Sequence, residues 1–261
     1  MTVEYYLLDD DRCNEAAMSV LSPKVVADRE GVWRIMRDQP AKRGAIFLGY
    51  HDGMLQALLS TMVEAHGKRR GTLVVLTACK NVSIYEPCFE RVLGGFDAVL
   101  PPEELAAVLR SPSAGDRCVA LVVTDGFVSL WRGDLTLIVV PKTDFAPTPV
   151  ASPDYTDIEV TDYGRTLRFG KYEAAFDAVL YERDADFRRR LLALRLAKEK
   201  SFGASLRRLR LQRGKRREDI QGVSPKEITR LETGQVKKPH SDTVQKIAKA
   251  LGVAPDEIET F

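Results

Sequence analysis

The stretch GVSPKEITRLETG (222–234) decides how this chain is read. It has the order of a tight turn, a capped short helix and a glycine stop. Gly222 permits the backbone angle that a sharp turn needs, and Val223 follows as an apolar plug. Ser224 suits the N-cap, Pro225 the first helical position, and Glu227, three residues after the serine, completes a capping box. Ile228 and Leu231 are three apart and share one helix face, which points them at a core. Lys226, Thr229 and Arg230 then point outward. A short basic helix of this build suits DNA.

The flanks extend the pattern. Upstream, SLRRLRLQRG (205–214) reads as an amphipathic helix with Leu206 and Leu209 inward, arginines outward and Gly214 at its end. Downstream, in KKPHSDTVQKIAKALGV (237–253), Pro239 breaks the chain, Val244, Ile247 and Leu251 repeat at helical spacing, and Gly252 stops the helix. Pro255 opens a last turn in APDEIETF. Four or five short helices fit in about sixty residues.

Taken in order, Leu209-Arg210 with Gly214, Gly222-Val223-Ser224, Ile228, Glu232, Gly234, Pro239 and the run Ile247-Ala248-Lys249-Ala250-Leu251 with Val253 resemble the lambda-repressor-like, Cro-type (XRE) helix-turn-helix family over residues 203–261. The resemblance implies a small all-α domain whose second motif helix enters the major groove of double-stranded DNA. Carried over position by position, the residues facing bases are Ser224, Pro225, Lys226, Glu227, Thr229 and Arg230. Lys226 is expected to donate to guanine, and Arg230 to guanine or phosphate. Glu227 either closes the capping box or accepts from a cytosine amine, and Thr229 meets a thymine methyl or a phosphate. Arg216, Arg217, Lys237, Lys238 and His240 are the expected backbone contacts, which orient the protein without reading sequence. Glu232, Ile228, Leu231 and Ile247 are assigned structural roles. Relatives act as dimers with recognition helices about 34 Å apart, which implies a homodimer.

One departure from the family concerns the first helix of the motif. Ile220 stands only two residues before Gly222, so about three residues are missing. A loss close to one turn of about 3.6 residues keeps the remaining face in register, and a shortened helix is expected. The family's usual glutamine at its start is absent. Arg217 lies near that place, which favours a phosphate contact.

Composition narrows the rest. The chain has 261 residues, 44% of them hydrophobic, enough for two globular domains. No run approaches eighteen apolar residues, so no membrane span is expected. The acidic start MTVEYYLLDDDRC lacks the basic and apolar parts of a secretory signal, and a cytoplasmic protein is expected. Cys13, Cys79, Cys88 and Cys118 are widely spaced and read as reduced, mostly buried thiols. Residues 198–261 carry 15 Lys/Arg against 9 Asp/Glu, whereas residues 1–197 carry 24 against 28. A basic end on an acidic body fits a nucleic-acid-binding module joined to a non-binding domain.

Residues 1–145 alternate apolar, β-rich runs with helical ones. AIFLGY (45–50), TLVVLTA (72–78) and FDAVL (96–100) read as strands; 52–66, 84–93 and 101–110 read as helices. This is the pattern of β-α-β units. Three further strands over 118–142, joined at Asp125-Gly126 and Gly133-Asp134, read as an antiparallel meander. The expectation is an α/β domain with one mixed sheet. Residues 146–202 then supply a linker (PKTDFAPTPVASPDY begins it at 141), a hairpin around Asp162-Tyr163-Gly164 and a charged helix over about 171–200.

His51 and Asp52 sit at an expected strand-to-helix turn, where open α/β sheets place ligands, and are the candidate ligand residues. The run Asp9-Asp10-Asp11 could bind a divalent ion, but such a run more often is a solvated turn, which is the expectation. The three histidines, His51, His66 and His240, have no metal-pair spacing. No metal and no cofactor are expected. No phosphate-binding glycine loop, GxSxG or HExxH occurs, so an enzyme is not expected. The leading expectation is a sequence-specific transcriptional regulator, a repressor, whose α/β domain dimerises or senses a protein or small-molecule effector. Two alternatives use the same residues: the DNA-binding member of a toxin–antitoxin or phage-defence pair, and an enzyme targeted to DNA.

Overall fold

The computed structural model describes residues 3–10, 12–37, 44–64, 71–79, 81–198, 201–236 and 239–260. Asp11, His66, Lys237 and Lys238, named above, lie outside these residues. The chain forms two compact units, Met1–Arg183 and Asp184–Phe261.

The first unit begins with five short strands: β1 (Tyr5–Leu8), β2 (Lys24–Val26), β3 (Ile46–Gly49), β4 (Thr72–Val75) and β5 (Arg91–Leu93). They pair in the order β2-β1-β3-β4-β5, every pair parallel. Strands buried on both faces read as continuous apolar runs, and LVV and IFL do so. Tyr6, Leu8, Phe47, Leu73 and Val75 share one face. They pack with Val32 of helix α2 (Arg29–Arg37) and with Met54, Leu55 and Leu58 of α3 (Asp52–Glu64). Burying each such Leu or Phe side chain contributes about 1.5–3 kcal/mol. On the opposite face, Leu48, Val74 and Leu93 line a small apolar space with Leu105 and Leu109 of α4 (Pro102–Arg110). A short helix, α1 (Glu15–Met18), follows β1 in the chain.

The antiparallel strands β6 (Ala98–Val99), β7 (Cys118–Val123), β8 (Phe127–Arg132) and β9 (Leu137–Pro141) form their own four-stranded sheet in that order. A third sheet holds β10 (Ile158–Thr161), β11 (Thr166–Phe169) and β12 (Tyr172–Ala175). The α/β class stands, but within residues 1–145 two sheets, one parallel and one antiparallel, replace the single mixed sheet, and the third sheet holds the hairpin expected around Asp162-Tyr163-Gly164. Strands joined by short turns pair with their chain neighbours at little loop-closure cost, whereas parallel pairs need crossovers.

Two expected helices differ for identifiable reasons. Residues 84–93 hold the end of a 3₁₀ turn, Val82–Tyr85, and then β5. Pro87 lacks the N–H a helix interior needs, and Phe89 is buried in the core instead. The stretch 171–200 is three elements: β12, α5 (Phe176–Arg183) and α6 (Ala185–Lys198). Asp184 makes the break, its Oδ1 accepting the N–H groups of Asp186 and Phe187, both at 2.9 Å. That is a helix start. The proline-rich stretch 141–155 lies within the first unit. Phe145 is buried and meets Phe169 edge-on at 5.0 Å, and Tyr155 lies 5.2 Å from the same ring.

The second unit continues from α6 with α7 (Phe202–Gln212), α8 (Pro225–Glu232), α9 (Ser241–Leu251) and α10 (Pro255–Thr260). Leu206, Leu209, Ile220, Ile228, Leu231, Ile247, Leu251 and Ile258 form its core. The expected shortened helix between α7 and α8 is a single 3₁₀ turn, Arg217–Asp219. Too few residues remain there for an α-helical ladder, yet Ile220 still reaches the core.

Helices α7 and α8 cross closely at Gly203, where an added Cβ would lie 2.1 Å from the Leu231 carbonyl oxygen. Backbone cannot yield as a side chain does. Gly203→Ala should therefore destabilise this unit by about 1–3 kcal/mol, the usual range for overpacking. An unchanged unfolding midpoint in urea would contradict so close a crossing.

Candidate nucleic-acid interface

Helix α8 is positioned by its own ends and by its inner face. Ser224 Oγ accepts the Glu227 N–H at 3.2 Å, and Pro225 occupies the first helical position. Ile228 and Leu231 are fully buried, which fixes the rotation of the helix. Lys226, Glu227 and Arg230 are exposed on the outer face, and Thr229 is half-buried. Thr229 Oγ1 donates to the Pro225 carbonyl at 2.9 Å, so its hydroxyl proton is already used. Only half of the expected capping box forms. Among the described residues, no bond returns from the Glu227 carboxylate to the Ser224 N–H. Water can satisfy both groups at this exposed helix end, and the carboxylate stays open to a base.

The expected backbone contacts divide into two kinds. The Arg216 N–H donates to Asp219 Oδ2 at 2.7 Å while its side chain is 82% exposed. Arg217 is placed differently: its Nε donates to Glu232 Oε2 at 2.9 Å. That bond ties it to the end of α8, and its side chain stays 38% exposed. His240 is exposed at the N-cap of α9, and among the described residues its side chain makes no capping bond to that helix. Arg213 and Lys215, which sequence reading passed over, are also exposed beside this motif. Their signal was their place in the same basic run as Arg216.

Behind the interface lies a buried ion pair. Arg210 Nε meets Glu232 Oε1 at 2.5 Å and Nη2 meets Oε2 at 3.2 Å, with side chains 7% and 1% exposed. Arg210 Nη1 also donates to the Lys215 carbonyl at 2.8 Å. A bidentate pair in which each guanidinium nitrogen donates at least once is the arrangement that tolerates burial. It ties α7 to the C-terminal end of α8 and so sets the pose of the exposed face.

In the first unit, Asp52 opens α3 and its Oδ1 accepts from Thr77 Oγ1 at 2.8 Å. His51 is half-buried between two carboxylates at the C-terminal ends of β1 and β3. Its Nε2 lies 3.0 Å from Asp9 Oδ1 and its Nδ1 lies 3.2 Å from Asp10 Oδ1. The acidic run and His51 were separate features in the sequence; the parallel pairing of Leu8 with Gly49 joins them. Burial first, then the charges of Asp9 and Glu103, push the neighbouring Tyr50 hydroxyl well above the ordinary phenol range. Elsewhere in this unit a groove of about 660 Å³ is lined by Val140, Phe145, Tyr172, Val179 and Arg183, among others.

Residues 201–261 match a family model described as a helix-turn-helix domain. This C-terminal segment is thus similar to helix-turn-helix domains, modules that bind DNA through their second motif helix. No curated protein and no solved structure matches the chain. Among the described residues, no helix is long and apolar enough to cross a membrane.

Proposed function

From the helix-turn-helix domain at residues 201–261, we propose that the chain is a sequence-specific transcriptional repressor that lays α8 in the major groove of its operator. The observation that carries this reading is α8 itself: one face is locked into the core, and the other presents Lys226, Glu227 and Arg230 to solvent. Lys and Arg donate to guanine, and a free carboxylate accepts from cytosine. Repression requires only that the operator be occupied, which such a module achieves without further chemistry.

A single module contacts little DNA, so the working form is a homodimer on an inverted repeat. Exposed apolar residues supply candidate contacts: Leu192 and Leu194 on α6, and Phe127, Leu137 and Val139 on one face of the antiparallel sheet. The groove in the first unit has a volume within the roughly 300–1,000 Å³ of small-molecule sites, which suits an effector. Selection of duplexes from a random pool tests the whole reading. It should return an inverted repeat with half-sites about one helical turn apart. No enrichment, or sedimentation as a monomer both on and off DNA, would remove the proposal.

Arg216→Ala should weaken operator and random duplexes alike. Losing one phosphate contact should make the slope of log K against log salt shallower by about 0.9. Binding isotherms at several salt concentrations measure this, and a loss confined to the operator would reassign Arg216 to base reading.

A further inference from the structure

At the C-terminal ends of β1 and β3, three ligand-type atoms converge. Asp9 Oδ1 lies 3.0 Å from His51 Nε2. Cys13 Sγ lies 3.7 Å from that nitrogen and 3.8 Å from that oxygen. The sheet order β2-β1-β3-β4-β5 makes this corner a switch point, because the chain leaves β1 toward β2 on one side and β3 lies on the other. Open α/β sheets bind ligands in the crevice at such a point.

We propose that Asp9, Cys13 and His51 bind one borderline divalent cation of the zinc type. A tetrahedral zinc, with bonds of about 2.0 Å to nitrogen and oxygen and about 2.3 Å to sulfur, holds N and O about 3.3 Å apart and S about 3.5–3.6 Å from each. The three observed edges agree with those values to within about 0.3 Å. The triangle is already the size of one face of the coordination polyhedron.

Proton accounting points the same way. A neutral imidazole has one N–H, and His51 has a carboxylate at each nitrogen. When Nδ1–H donates to Asp10, the Nε2 lone pair faces the Asp9 oxygen and the Cys13 sulfur. A single cation satisfies all three donors at once, and Asp10 becomes the outer carboxylate that fixes the tautomer of a metal-bound histidine. Binding releases the Cys13 thiol proton, and any second proton on His51, to solvent.

Asp9 is held ready for this role. It is fully buried, and its Oδ2 accepts the Asn14 N–H at 2.7 Å, which turns Oδ1 toward His51 and Cys13. A carboxylate at this depth gains from a nearby cation. Thiolate and imidazole select against magnesium and calcium, which take oxygen ligands. Cys13 is exposed and the His51 side chain is 30% exposed, so a cation can reach the cluster from solvent.

Titrating the chelator-treated full-length protein with cobalt(II) tests the site. One equivalent should produce a thiolate-to-cobalt charge-transfer absorption and the intense visible bands of a four-coordinate centre, and zinc should displace it. Cys13→Ser should abolish the charge-transfer absorption. His51→Gln should weaken binding ~100-fold or more, and Asp10→Asn about 10–100-fold. His240→Gln, outside this unit, should leave the cobalt spectrum and affinity unchanged. Cys13 is exposed and His51 half-buried, and circular dichroism would verify that both main variants fold. A protein that yields no charge-transfer band, keeps the band in Cys13→Ser, or binds magnesium in preference would overturn the proposal. In the first case His51 bridges the two carboxylates without a metal. The readout involves no DNA, so its outcome is independent of the repressor reading.

Discussion

Replacing Lys226 and Arg230 together by alanine is expected to erase most of the preference for the selected operator over random duplex. The two side chains lie four residues apart on one stripe of α8, both exposed, and neither forms an ion pair among the described residues. Their removal therefore costs the fold little. Each base contact of this type is worth about 1–3 kcal/mol. If the two act independently, the pair supplies ~2–6 kcal/mol of the roughly 4–10 kcal/mol that separates specific from non-specific binding. Affinity for random duplex should fall much less, because phosphate contacts carry that part. Anisotropy titrations on both duplexes at one salt concentration, with a thermal melt to verify folding, give the comparison. Equal losses on the two duplexes would mean that α8 does not read bases.

How far the sequence was legible follows from the range of the rules. The helix-turn-helix domain rests on local devices: Ser224 and Pro225 at a helix start, Gly222 and Gly252 at reversals, apolar residues three and four apart. Each acts within a few residues and can be read in isolation. Arg210 and Glu232 stood in the family pattern, but their bond spans 22 residues and leaves no periodic trace. The same holds for Cys13 and His51, 38 apart, which only the parallel pairing of β1 with β3 brings together. Sheet membership was illegible for a related reason. Apolar runs show that a strand is buried, not which strand lies beside it. The misread helix at 171–200 shows the other limit. Alternation in Tyr172–Ala175 is only four residues long and abuts a helical pattern, so tertiary pairing with β11 decides its state. The role of Asp184 as a helix start needed the backbone.

Glu232→Gln should destabilise the second unit by about 3–5 kcal/mol, the cost of removing one partner from a buried ion pair. The neutral amide cannot balance Arg210, whose guanidinium is only 7% exposed and cannot turn to water. Arg210→Met should cost a similar amount by leaving the Glu232 carboxylate buried, partly relieved by Arg217 at 2.9 Å. Arg217→Ala is the discriminating control. That side chain is 38% exposed, so solvent screens its share, and the loss should stay near ~0.5–1 kcal/mol. Arg217→Ala should also leave the salt slope of DNA binding unchanged, in contrast to Arg216→Ala, because the carboxylate and not a phosphate holds it. The double variant Arg210→Met with Glu232→Leu should recover much of the stability, since apolar replacement of a buried pair is often neutral or better. Its DNA affinity should recover less if the clamp sets the angle of α8 against α7. Urea unfolding of the four variants, followed by operator titrations, separates stability from pose. A loss under about 1 kcal/mol for Glu232→Gln would show that Arg210 reaches solvent and that the pair does not hold the recognition helix in place.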